Sequence, residues 1–120
     1  MGKSDAKFDL LPGTLEMLIL RSLERAGAPM HGYGIARFIK SLSNDVLHVE
    51  EGSLYPALQR LLLKDFLKAE WGQSENNRRA RFYRLTPLGR KELQREAADF
   101  ERRLEGILRL MRPARGRGVP

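Results

Sequence analysis

Asn76, Asn77, Arg78, Arg79 and Arg81 fall within six residues of one another. Guanidinium and carboxamide groups crowded so closely suit hydrogen bonding to an anionic polymer. Arginine forks match phosphate oxygens in pairs, and they also enter the DNA minor groove, where negative potential is strongest. A second set, Ser53, Tyr55, Pro56, Gln59 and Arg60, lies in the segment EEGSLYPALQRLLLKD. Gln and Arg form paired hydrogen bonds with adenine and guanine edges in the major groove, whereas Ser and Tyr hydroxyls more often meet phosphate. Plainer readings stand beside these. The first set also suits a solubilising loop, and the second a half-buried core tyrosine with a solvated arginine.

The charge distribution bears on that choice. The 120-residue chain carries a net charge of +7. Residues 60–91 hold nine Lys or Arg against three Asp or Glu, and residues 112–120 add three more basic groups. Residues 1–59 and 92–111 each come to −1. Positive charge focused in this way is the footprint expected of a phosphate-binding surface, because binding there releases condensed counterions.

Other chemistries are poorly supplied. Cysteine is absent and His31 and His48 are the only histidines, so a transition-metal site lacks ligands. Gly32-Tyr33-Gly34 does not belong to a GxxxxGK[ST] phosphate loop, and no serine has a base and orienter near it in sequence. The sequence therefore implies neither an enzyme nor a cofactor. The longest apolar run is too short for a membrane span, and the first ten residues lack the apolar core of a signal peptide. A soluble, cytoplasmic protein with no membrane partner is expected.

The elements that must position these groups follow from periodicity and punctuation. Leu15, Leu18, Ile19 and Leu23 mark one face of a helix over Leu11–Arg25, started near Pro12-Gly13-Thr14 and stopped by Gly27-Ala28-Pro29. A second helix spans His31–Leu42, ended by Ser43, Asn44 and Asp45. Ser53 is read as the N-cap of a third, which places Pro56 in its first turn, where a missing N–H costs nothing. Its core face is Leu54, Leu58, Leu61 and Leu62; Leu63 falls with Ser53, Pro56, Gln59 and Arg60 opposite or flanking it, an apolar residue that resists the division. Leu67–Trp71 and Arg81–Leu85 form a hairpin around the turn-rich GQSENNRRA, with Arg81 and Arg84 on opposite faces and Trp71 and Tyr83 as packing residues. Thr86 caps a long last helix with Pro87 at its first position, running to about Met111.

Three helices, a basic hairpin and a long helix form the order of a winged helix-turn-helix, mainly α with a small β-hairpin. The words LLPGTLEMLIL, HGYGIARFI, GSLYPALQRL and KAEWGQSENNRRARFYRLTPLGRKEL cover most of residues 10–95. In order and spacing they resemble the PadR family of transcriptional regulators, in its compact type with one C-terminal helix. Two positions depart from the family pattern. Asp65 stands where glycine is frequent, and Leu62 or Leu63 where a charged residue is frequent. Aspartate tolerates the left-handed backbone of a helix end, so the first departure is compatible with the fold.

The resemblance implies a winged helix-turn-helix over residues 10–86, a dimerisation helix over 87–111 and flexible termini at 1–9 and 112–120. It also implies a homodimer that binds double-stranded DNA, a repressor rather than an activator, and a possible small-molecule inducer of unknown identity. The LYPAL motif belongs to the family's recognition helix. The spacing of Leu93, Ala97, Phe100, Leu104, Ile107 and Met111 makes a heptad seam. That seam, with Leu15 and Leu18, is the expected dimer surface, unless it packs only on the first helix of its own chain. A winged-helix module for RNA or for another protein is the alternative function, because a fold alone does not fix its ligand.

Overall fold

The structure is a computed structural model, and it describes residues 13–114. Gly13 and Gly27, both with positive φ, bracket α1 (Thr14–Ala26). The Gly27 N–H closes the helix on the Leu23 carbonyl at 3.1 Å, a turn that favours a residue without Cβ. Met17, Ile19, Leu20 and Leu23 are buried. Buried Ser22 is satisfied within the helix, its hydroxyl donating to the Leu18 carbonyl at 2.7 Å. α1 touches α2, α3 and α4 and is the central helix of the domain.

β1 (Met30–His31) and α2 (Gly32–Leu42) follow. The His31 ring caps α2, with Nδ1 accepting from the Gly34 N–H at 3.0 Å. Ile35 and Ile39 join the core, and the chain leaves α2 through Asn44 and Asp45, both left-handed. Residues 46–49 are irregular chain, with Leu47 and Val49 lying against the core.

α3 (Glu51–Leu63) begins earlier than the sequence suggested. Glu50, not Ser53, is the N-cap, and Ser53 is the third helical residue. Pro56 therefore lies in the second turn, where it does remove an intrahelical hydrogen bond, the one to the Gly52 carbonyl. Gly52 is exposed, so water can meet the carbonyl left over. Leu54, Ala57, Leu58 and Leu61 are buried, while Leu62 is only half-buried.

β2 (Leu67–Gln73) and β3 (Arg79–Leu85) are each two residues longer at the turn than expected. They pair antiparallel from Leu67↔Leu85 to Gln73↔Arg79. β1 adds to the other edge of β3 through Met30↔Tyr83 and His31↔Phe82, giving the sheet order β1-β3-β2. Two residues are too few for a visible alternation, which is why the third strand escapes a sequence reading.

The hairpin is fastened to α3 at its base. Asp65 takes the left-handed φ of 63°, as its side-chain type allows. The Thr86 hydroxyl donates to the Asp65 carbonyl at 2.8 Å and accepts from the Gly89 N–H at 2.9 Å. One buried side chain thus caps α4 (Pro87–Met111) and ties it to the end of α3. Leu93 is 0% exposed and belongs to the chain's own core. It is therefore removed from the expected dimer seam, since no surface of it remains for a second chain. Ala97 and Phe100 are half-buried, as are Leu15 and Leu18, and beyond them the helix leaves the domain body. Leu104, Ile107, Leu108, Leu110 and Met111 are all exposed. The expectations for residues 1–9 and 115–120 lie outside the described residues.

Candidate nucleic-acid interface

The buried leucines of α3 fix what its other side presents. Opposite the core face, Gly52, Pro56, Gln59 and Leu63 line up at spacings of four, three and four, all exposed. Leu63 is 83% exposed and sits in the middle of the outward face, so the helix is turned slightly from the division the leucines alone suggested. Nothing stands within 4 Å of where a Cβ at Gly52 would be, which leaves the start of this stripe open. Ser53 and Arg60 form one flank and Tyr55 the other.

The flanking residues differ in freedom. Arg60 Nε hydrogen-bonds the Glu16 carboxylate of α1 and forms an ion pair with it. Arg60 is thus exposed but tethered, and its terminal N–H groups remain on the solvent side. Tyr55 packs over the first residue of α2, where a Cβ on Gly32 would fall 2.7 Å from its hydroxyl. Burial, and next the Glu51 carboxylate, raises the Tyr55 pKa above its ordinary value. The phenol therefore remains protonated, and a hydrogen-bond donor, throughout the neutral range.

The wing tip is a tight turn. The Ser74 N–H donates to the Arg78 carbonyl at 2.8 Å, and the Asn77 N–H to the Ser74 carbonyl at 2.8 Å. Asn77 has φ 62°, so this residue type serves the turn itself, while Asn76 and Arg78 project from it exposed. Arg79 and Arg81 belong to β3 rather than to the loop, and alternation points both to one face. Arg84 lies on the other face, as expected from its spacing.

That shared face turns toward α3. Arg78, Arg79 and Arg81 of the wing, Tyr55 of α3, and Tyr33 and Arg37 of α2 line a single open groove of about 410 Å³. The Arg37 guanidinium lies 5.5 Å from the Tyr33 ring centroid, and Glu75 of the wing tip approaches Arg37 to 3.9 Å across the mouth. Cations on two walls with a phenol between them are groups that bind phosphodiester oxygens. The sequence placed the wing and Tyr55 in such a role but passed over Tyr33 and Arg37, which no local cluster of charge marks. Tyr83 is buried, as foreseen, but Trp71 is 59% exposed on the outer stretch of the hairpin.

A family model described as the transcriptional regulator PadR-like family matches residues 19–95. The chain belongs to that family. The PadR-like domain spans α1 from Ile19 through the first turns of α4, and so includes α3, the wing and the groove between them. Among solved structures, a PadR-like transcription factor from Bacteroides fragilis is 31% identical, with a TM-score of 0.63 over 82% of this chain and 90% of that one. A transcriptional regulator from Clostridium thermocellum is 25% identical, with a TM-score of 0.72 over 83% and 95% of the two chains. Protein X of Lysinibacillus sphaericus is 30% identical over 96 residues, covering 78% of this chain and 86% of that protein. This PadR-like chain is thus a transcriptional regulator with a winged-helix DNA-binding fold. Among its described residues no helix is long and apolar enough to cross a membrane, and no cluster of His, Asp or Glu is arranged to hold a metal ion.

Proposed function

We propose that the protein is a cytoplasmic, non-enzymatic repressor that binds operator DNA as a homodimer and excludes RNA polymerase. Residues 10–86 form its DNA-binding unit and residues 87–111 its dimerisation helix. The outward stripe of α3 enters the major groove, where Gln59 hydrogen-bonds base edges and Pro56 and Leu63 offer apolar contact to thymine methyls. Ser53 and Tyr55 meet phosphates, and Arg60 reaches DNA through the N–H groups that Glu16 leaves free. Asn76, Arg78, Arg79 and Arg81 follow the backbone or the adjoining minor groove.

One observation carries this reading: the wing arginines and Tyr55 line the same groove beside an otherwise unoccupied helix face. The exposed apolar end of α4 supports the dimer, since Leu104, Ile107 and Met111 continue the seam beyond the reach of their own domain.

Binding to a duplex should weaken steeply with salt, and Arg78→Ala combined with Arg79→Ala should flatten the log–log slope by about 2. The loss should be similar for operator and random sequence. A salt-independent affinity, or tighter binding to a structured RNA competitor than to any duplex, would overturn the proposal. Leu63→Ser tests the rotation of α3. It should change folding stability by no more than about 0.5 kcal/mol while altering the preferred base at one half-site position, read by selection from a randomised operator pool.

A further inference from the structure

Trp71 was expected to pack between wing and helices, yet more than half of it is exposed. The sheet register explains what surrounds it instead. Trp71 pairs with Arg81, and Arg79 is its diagonal neighbour on the same face. The Arg79 guanidinium lies 4.3 Å from the indole centroid and that of Arg81 6.0 Å. Arg81 also lies 6.0 Å from the ring of Tyr83, which is buried. Tyr83, Arg81, Trp71 and Arg79 therefore form an alternating file of rings and cations, anchored in the core and running outward along the wing. Each guanidinium thus has a ring beside it, Arg79 one and Arg81 two.

We propose that Trp71 is a positioning residue for the nucleic-acid contact: its indole holds Arg79 and Arg81 in place so that the wing meets a phosphodiester with two cations already oriented. This rests on the reading of the groove as a DNA-backbone site. The physical reason is conformational. An arginine on a two-stranded ribbon samples many rotamers, and ordering it at the moment of binding weakens the complex. A planar ring beneath the guanidinium removes that disorder beforehand and leaves the N–H edge free for phosphate oxygens. A ring 4.3 Å from the Arg79 guanidinium covers one side of it, so the cation–ring contact and a phosphate contact can coexist.

The test uses the full chain and a random-sequence DNA duplex, because backbone contact does not depend on sequence. Trp71→Leu should lower affinity roughly tenfold and make the salt dependence shallower, with the thermal midpoint held. Trp71→Phe, which restores a ring, should recover part of the loss. Combining Trp71→Leu with Arg79→Ala should cost little more than either change alone. Trp71 is the only tryptophan in the chain, so its emission reports the contact directly. Arg79→Ala should shift that emission in the free protein, where no DNA is present.

Equal binding by Trp71→Leu and the unaltered protein would overturn the proposal. So would leucine and phenylalanine variants that are equally weak, or emission indifferent to Arg79→Ala, a reading available even if Trp71→Leu fails to fold. If the unaltered protein does not bind duplex DNA at all, the functional reading itself has failed, and the two failures are told apart by that control.

Discussion

Gly89→Ala should be among the most damaging single substitutions outside the core leucines, lowering stability by about 3 kcal/mol and the thermal midpoint by on the order of 10–20 °C. The added Cβ would fall 2.1 Å from the Phe66 carbonyl oxygen and 2.9 Å from its carbon. Those are backbone atoms, so no rotamer change relieves the overlap. Alanine favours a helix over glycine by about 1 kcal/mol, but that gain is smaller than the strain it meets here. Relief requires α4 to move away from the α3–β2 turn. Movement there stretches both bonds of Thr86, at 2.8 and 2.9 Å, as well as the 3.2 Å bond from the Thr86 N–H to the Phe66 carbonyl. Calorimetry at fixed protein concentration measures the effect, which matters because assembly would otherwise shift the midpoint. A midpoint within a few degrees of the original would show that α4 is not seated as described.

Leu104→Glu together with Ile107→Glu should leave each chain folded and convert the protein to a monomer. Both side chains are exposed in the single chain, and glutamate is a good helix former, so neither change disturbs the core or α4 itself. In an apolar seam between two chains, however, paired carboxylates would be buried without partners. Sedimentation should show a single chain, and circular dichroism should retain the helical signal. If the protein works as the proposed dimer, operator affinity should fall by at least about 100-fold, because a lone module loses the effective concentration that a linked twin supplies. A variant that remains dimeric would remove α4 from the interface. One that becomes monomeric yet binds the operator unchanged would remove dimerisation from the function.

Much of this architecture was legible in the sequence because punctuation coincided with periodicity. Gly27 and the Thr86-Pro87 pair stop and start helices where the apolar pattern also breaks, and both boundaries hold in the structure. The misreadings share a different origin. Ser53 is a competent cap, but the helix begins at Glu51, with the N–H groups of Ser53 and Leu54 both donating to the Glu50 carbonyl. Leu93 obeys the heptad as well as Leu104 does, and spacing cannot say which chain covers a seam. Trp71 shares its face with Leu67 and Ala69, which are covered by the body, but the hairpin runs on past the edge of that body. The pairing of Arg60 with Glu16 joins residues 44 positions apart, beyond any local pattern.

The short strand β1 gives the wing a mechanical character. It grips β3 only at Phe82 and Tyr83, so three strands stiffen the root while the ribbon from Arg81 outward has two. The wing is therefore a cantilever with its clamp at the buried tyrosine. Bending of the two-stranded part would move the tip turn further than the root, and would strain the 3.9 Å contact of Glu75 with Arg37. Under the proposed reading, a DNA backbone strand deep in the groove would meet a fixed gauge, and one near the mouth a more compliant arm.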